Sequence, residues 1–113
     1  MKFDDYQKRA ITTDTYGGKG DILSPAFINK ILGLAGEAGE VAEKVKKLHR
    51  NHGGKMSEED RQELLKELGD VLWYLSAIAR YLEEPLSQVA QTNLDKLMDR
   101  KARGVLKSKG DNR

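Results

Sequence analysis

Two stretches of this chain repeat apolar residues at α-helical spacing over many turns. The first runs through Phe27, Ile31, Leu34, Ala38, Val41, Val45 and Leu48. The second runs through Leu64, Leu68, Val71, Leu72, Leu75, Ile78, Ala79 and Leu82. Steps of three and four residues bring a side chain back to the same side of a helix, so each stretch carries an apolar face that must be covered. No stretch alternates with the two-residue period of a half-buried strand, and no motif recurs at a fixed period. The predicted class is all-α, with a four-helix bundle-like protomer as the natural way to cover such faces.

Local chemistry sets the boundaries. Ser24-Pro25 offers an N-cap and a proline suited to the first helical position, which predicts a helix to about residue 49, closed by Asn51-His52-Gly53-Gly54. Ser57-Glu58-Glu59-Asp60 has the form of a capping box and opens the next helix. Glu84-Pro85 ends that helix, and the proline is placed to start another reaching about residue 101 through Leu86, Val89, Ala90, Leu94, Leu97 and Met98. Ahead of these, Phe3, Tyr6, Ala10 and Ile11 predict a short helix from residue 3 to about residue 16, followed by a glycine-rich loop over residues 16–21. The tail from Arg103, with two glycines and much charge, is expected to order only on a ligand or a partner.

At 113 residues, 38% apolar and 34% charged, the chain suits one domain spanning 1–113 with a modest core, and a homodimer or homotetramer is expected to complete it. The absence of cysteine excludes disulfides and thiolate metal sites. The chain opens Met-Lys-Phe-Asp-Asp-Tyr without the apolar run of an export signal, and no run approaches the ~18 residues of a membrane span. A cytoplasmic protein without membrane contact is expected. The net charge is only +2. The basic excess is local, seven Lys/Arg against two Asp from Lys96 to Arg113, and without interleaved aromatics it argues against a nucleic-acid partner.

Two acidic motifs carry the chemistry. Glu37-Ala-Gly-Glu40 lies on the first long helix and Glu67-Leu-Gly-Asp70 on the second, with 26 residues between them. The i, i+3 spacing puts each pair on one side of its helix. At about 100° per residue, Glu37 falls at the margin of its apolar arc beside Val41 and Leu48, and Glu67 beside Val71 and Ile78. An antiparallel hairpin would line one groove with all four carboxylates. Such a crowd of like charge calls for a cation, and hard oxygen donors without His or Cys call for Mg²⁺, with Mn²⁺ as a substitute. Gly33, Gly36 and Gly39 recur beside Glu37 and Glu40 inside the helix, which predicts close approach of a ligand or another subunit. Lys44 and Lys47 follow Glu40 as candidate ion-pair partners. His49 and His52 lack the Glu-x-x-His spacing of a di-iron bundle and are expected at the surface or a helix end.

The pattern also fits a non-catalytic helical interaction or regulatory module whose acidic groove is simply a solvated face. A resemblance weighs against that reading. Gly33-Leu-Ala-Gly-Glu-Ala-Gly-Glu-Val-Ala-Glu-Lys44, followed by Glu67-Leu-Gly-Asp-Val-Leu-Trp-Tyr74, resembles the E-x-x-E and E-x-x-D signature of MazG-like nucleotide pyrophosphohydrolases, all-α enzymes related to dimeric dUTPases and phosphoribosyl-ATP pyrophosphohydrolases. The likeness extends to Phe3-Asp-Asp-Tyr-Gln7 and Asn93-Leu-Asp-Lys-Leu-Met-Asp-Arg100.

The resemblance implies Mg²⁺-dependent cleavage of a (deoxy)nucleoside triphosphate to the monophosphate and pyrophosphate by a metal-activated water. Glu37, Glu40, Glu67 and Asp70 would hold the metal and one of them would assist the water. Phosphoribosyl-ATP cleavage is the nearest competing reaction. Asn93, Lys96 and Arg100 are the implied contacts to substrate phosphate or ribose. Asn93 also reads as an amide within the apolar stripe of the last helix, between Val89, Ala90 and Leu97, where it needs a polar partner. Arg103 and Lys107 are weaker candidates. Trp73, three residues after Asp70, is expected to stack on a base or to fill a subunit interface. Tyr74 and Tyr81 share a helix edge and read as packing.

Overall fold

The computed structural model describes residues 1–15 and 23–107, so the glycine-rich loop expected at 16–21 lies outside the described residues. Helix α1 spans Phe3–Ala10, α2 Pro25–His52, α3 Glu58–Tyr81 and α4 Leu86–Ala102, with no strand among the described residues. The protein is all-α.

The caps explain most boundaries. The Ser24 hydroxyl accepts from the Phe27 amide, with Pro25 at the first helical position, and Gly53 closes α2 at φ 62°. Ser57 and Asp60 exchange the two bonds of a capping box. Helix α1 stops earlier than its apolar spacing predicts. Thr12 and Thr13 turn their hydroxyls back to the Arg9 and Ala10 carbonyls, and residues Ile11–Thr13 tighten into a 3-10 turn before Asp14 becomes extended. Pro85 is the residue before α4 rather than its first helical residue, with ψ 148°. Of the tail expected from Arg103, residues 108–113 lie outside the described residues. Gly104 at φ 73° lets the Gly104 and Val105 amides close on the Lys101 and Arg100 carbonyls, a Schellman end to α4.

Helices α2 and α3 form an antiparallel hairpin. Phe27 meets Tyr81, Gly33 meets Tyr74, and Lys44 meets Glu63, so contacts descend α3 as they climb α2. Each helix carries two stripes of alternating three- and four-residue steps, set one residue apart. The stripe turned to the partner helix is mixed: Phe27, Lys30, Leu34, Glu37, Val41, Lys44 and Leu48 on α2, against Leu64, Glu67, Val71, Tyr74, Ile78 and Tyr81 on α3. The second stripe is the more apolar one. It runs through Ile28, Ile31, Ala35, Ala38, Ala42 and Val45, and through Leu65, Leu68, Leu72, Leu75, Ala79 and Leu82, and most of it is exposed.

Short α1 locks the far end of the hairpin to α4. The Gln7 side-chain amide donates to the Ser76 and Glu84 carbonyls, while its oxygen accepts from the Leu86 amide. Asp4 accepts from both the amide and the hydroxyl of Ser87. The start of α4, which has no side-chain cap of its own, is therefore capped by α1. Among the described residues the buried apolar core is small, consisting of Phe27, Ala77, Ala79, Tyr81 and Leu86.

Candidate metal centre

The mixed stripe brings charge into the hairpin seam. Glu37 from α2 and Glu67 and Asp70 from α3 place one carboxylate oxygen each within 4.8 Å of one another. Glu37 and Glu67 are half-buried and Asp70 is exposed. Three of the four carboxylates singled out in the sequence therefore converge. Glu40, exposed one turn along α2, stands outside this cluster but still acts on it electrostatically. Burial, followed by the charges of Asp70, Glu67 and Glu40, pushes the Glu37 carboxyl above the usual range. Like charge crowded around Glu37 favours a cation at that point of the seam. An all-oxygen donor set suits a hard divalent ion such as Mg²⁺ or Mn²⁺.

Around the cluster stand Tyr6 and Lys30, which the sequence reading did not place at the site, and Lys44, which it expected to pair with Glu40. Tyr6 of α1 lies close enough for burial and the charge of Asp70 to raise its phenol pKa. Lys30 and Lys44 stand seven residues before and after Glu37 on the same stripe. Lys30 is 2% exposed, pairs with Asp14 at 3.1 Å and lies 5.7 Å from the centre of the Trp73 ring. Lys44 lies 3.6 Å from Glu63 and 3.5 Å from Glu67. The steps of seven were visible in the sequence and carried the signal. The acid that each lysine would meet was not.

Several expectations are corrected. Lys44 reaches across to α3 rather than along α2 to Glu40, because the stripe it occupies faces α3, and Lys47 pairs with Glu43. The element that approaches Gly33 is neither a ligand nor a second subunit. A methyl group there would overlap the Tyr74 ring of the same chain. Gly36 and Gly39 face open space. Asn93 is exposed, since α4 is covered at Leu86 and Arg100 and not at its middle, so its amide is not an unmet burial in the single chain. Lys96 is also exposed, while Arg100 is 3% exposed and thus a buried residue rather than a solvated one.

Trp73 donates its indole N–H to the Thr13 hydroxyl at 2.9 Å and the Ala10 carbonyl at 3.3 Å, and meets Tyr74 edge-on at 5.0 Å. It ties the 3-10 turn to α3. His49 and His52 are exposed near the end of α2, as expected. Arg103 pairs with Asp99, and Lys107 is exposed.

No described helix is long and apolar enough to cross a membrane. No solved structure matches the chain significantly. The "Gene 37 protein" of Mycobacterium phage L5 is 47% identical over 114 residues, covering all of both chains. A family model of the MazG nucleotide pyrophosphohydrolase domain matches residues 27–105, a span that begins in the first turns of α2, contains every residue of the acidic cluster and ends just past α4. With that match added to the all-α hairpin and its paired acidic motifs, this chain belongs to the MazG nucleotide pyrophosphohydrolase domain family.

Proposed function

We propose that the protein hydrolyses a (deoxy)nucleoside triphosphate to the monophosphate and pyrophosphate, with Mg²⁺ held by Glu37, Glu67 and Asp70 and assisted by Glu40. The observation that carries this reading is the convergence of three carboxylate oxygens from two helices within 4.8 Å, in a chain of this family. When bound, the metal neutralises phosphate charge and acidifies a water. The chain's own residues do the rest. One carboxylate of the set, where it is not fully engaged with the metal, would accept the proton from the attacking water. Tyr6 stands beside Asp70 at the α1 side of the site. Asn93 and Lys96, exposed on α4, are assigned to substrate sugar and phosphate. Buried Arg100 and bonded Trp73 support the elements that carry the site.

The same reading includes a second copy of the chain. The radius of gyration is 16.9 Å, against about 13 Å for a compact chain of this length. The exposed stripes on α2 and α3 form one continuous apolar flank, with Leu68 at 48% and Val45 at 46% exposure. Two hairpins joined through this flank would make a four-helix core.

Incubating the protein with a panel of canonical and damaged (d)NTPs, with and without Mg²⁺, tests the reaction. Pyrophosphate and monophosphate are expected, strictly with metal, and Glu67→Gln or Asp70→Asn is expected to abolish turnover in a folded protein. Free orthophosphate as the first product, or turnover in excess chelator, contradicts the proposal. Absence of turnover together with absence of any metal-induced thermal shift points to an interaction module.

A further inference from the structure

The lysines that bracket the acidic cluster differ in how firmly they are held. Lys30 is buried in its pair with Asp14 at 3.1 Å. The Lys44 side chain is one-third exposed, and its two contacts are nearly equal and long, 3.6 Å to Glu63 and 3.5 Å to Glu67. A committed ammonium–carboxylate bond is closer to 2.7–2.9 Å. Lys44 is therefore shared between two acceptors on successive turns of α3, one of which belongs to the metal cluster. The other, Glu63, is anchored through its second oxygen to Lys66 at 2.9 Å. We propose that the Lys44 ammonium is the resident counter-ion of the acidic cluster, competing with the divalent ion for Glu67 and withdrawing onto Glu63 when the ion binds.

This rests on the metal-site reading above and makes Lys44 a positioning residue rather than a ligand or a catalyst. Three carboxylates converging without a nearby cation would repel one another, and Lys44 relieves that repulsion at the Glu67 edge. The same contact must be given up before Glu67 offers that oxygen to a metal. The affinity of the site for a free ion is consequently set below what its carboxylates alone would allow. Glu63 lowers the barrier to exchange by offering Lys44 an acid only one turn away.

Mn²⁺ binding to the nucleotide-free protein, followed by isothermal titration and by the loss of the free-ion paramagnetic resonance signal, tests the idea without reference to turnover. Lys44→Gln is expected to bind Mn²⁺ about fivefold more tightly, the scale of one partly exposed ion pair. Lys44→Arg keeps the charge and should stay near wild type. Lys47→Gln removes the same charge one turn further along, where the partner is Glu43, and should change affinity less than twofold.

In chelator, Lys44→Gln should melt below wild type, and saturating Mn²⁺ should raise its melting temperature by more than it raises that of wild type. Equal or weaker Mn²⁺ binding by Lys44→Gln overturns the proposal, as does an equal gain in Lys47→Gln, which would reduce the effect to long-range charge. If wild type binds no Mn²⁺ at all, the metal-site reading itself fails and this inference falls with it.

Discussion

Glu37 sits where α2 delivers a carboxylate into a seam already occupied by Glu67 and Asp70, and its carboxyl is held above the ordinary range by burial and by those neighbours. A carboxyl whose folded pKa exceeds its unfolded value binds more protons in the native state, so its contribution to stability falls as pH rises through that window. In metal-free protein the cost of Glu37 is thus fully present above its folded pKa and relieved as pH falls toward the unfolded value. Glu37→Gln is expected to raise the melting temperature in chelator at neutral pH. Its advantage over wild type should shrink as pH enters the ordinary carboxylate range, and with Mn²⁺ present the variant should lose the metal-induced shift. Paired thermal melts across pH check both, and an advantage that grows on acidification would show that the neighbours do not press on Glu37.

The glycines beside it separate equally well. Gly33→Ala drives a methyl into the Tyr74 ring and should destabilise by about 1–3 kcal/mol despite the better helix propensity of alanine. Gly36→Ala and Gly39→Ala meet open space, so each should stabilise the single chain by about 0.5–1 kcal/mol. Denaturant melts compare them. A loss at Gly36 or Gly39 accompanied by lost assembly would place a second copy against that backbone.

At the level of elements, α4 depends on α1 for its first turn. Gln7 bonds to Ser76, Glu84 and Leu86, and Asp4 holds both polar groups of Ser87. Gln7→Ala leaves backbone groups at the α3–α4 corner without that side chain and should cost about 1–3 kcal/mol. The Ser87 bonds hold the Asp4 carboxyl below its ordinary value. For a depressed carboxyl the stabilisation is present above the unfolded pKa and is lost as pH falls through the folded one. Below the ordinary carboxylate range the α1–α4 contact should therefore loosen before the α2–α3 hairpin does. Amide hydrogen exchange at Leu86 and Ser87 reads this directly, and Asp4→Asn should show the faster exchange already at neutral pH. Uniform loss of protection across all helices would contradict it.

For the whole molecule, the decisive quantity is the apolar flank left on the hairpin. Monomeric proteins seldom leave a long apolar seam in water, and here it runs along both helices from Ile28 to Val45 and from Leu65 to Leu82. Light scattering at micromolar concentration should give a dimer or a multiple of it. Leu68→Glu, central on α3 and 48% exposed in the single chain, should shift it toward monomer and lower its thermal stability. A stable wild-type monomer would remove the assembly from the proposed function while leaving the metal centre in place.

Helix class, most helix starts and the two acidic motifs were legible because they are local. Periodicity, Ser24, Ser57 and Gly53 act within a few residues of themselves, and i, i+3 spacing places Glu37 with Glu40 and Glu67 with Asp70 on any α-helix. The early end of α1 was not legible, because two threonine hydroxyls competing for backbone carbonyls override an apolar repeat of four residues. Burial in α4 was also misjudged. Periodicity tells which residues share a face, not whether another element covers it, so Asn93 lies in line with Leu86 and Arg100 yet remains exposed.

Register across the hairpin was decided only by tertiary packing. It joins Glu37 to Glu67 and Asp70, leaves Glu40 at the rim, sends Lys44 to Glu67 and lays Tyr74 over Gly33. The sequence by itself determined which side chains each helix offers along each face. The choice of partner for each face depended on how two helices slide and rotate against one another, and no single helix contains that information.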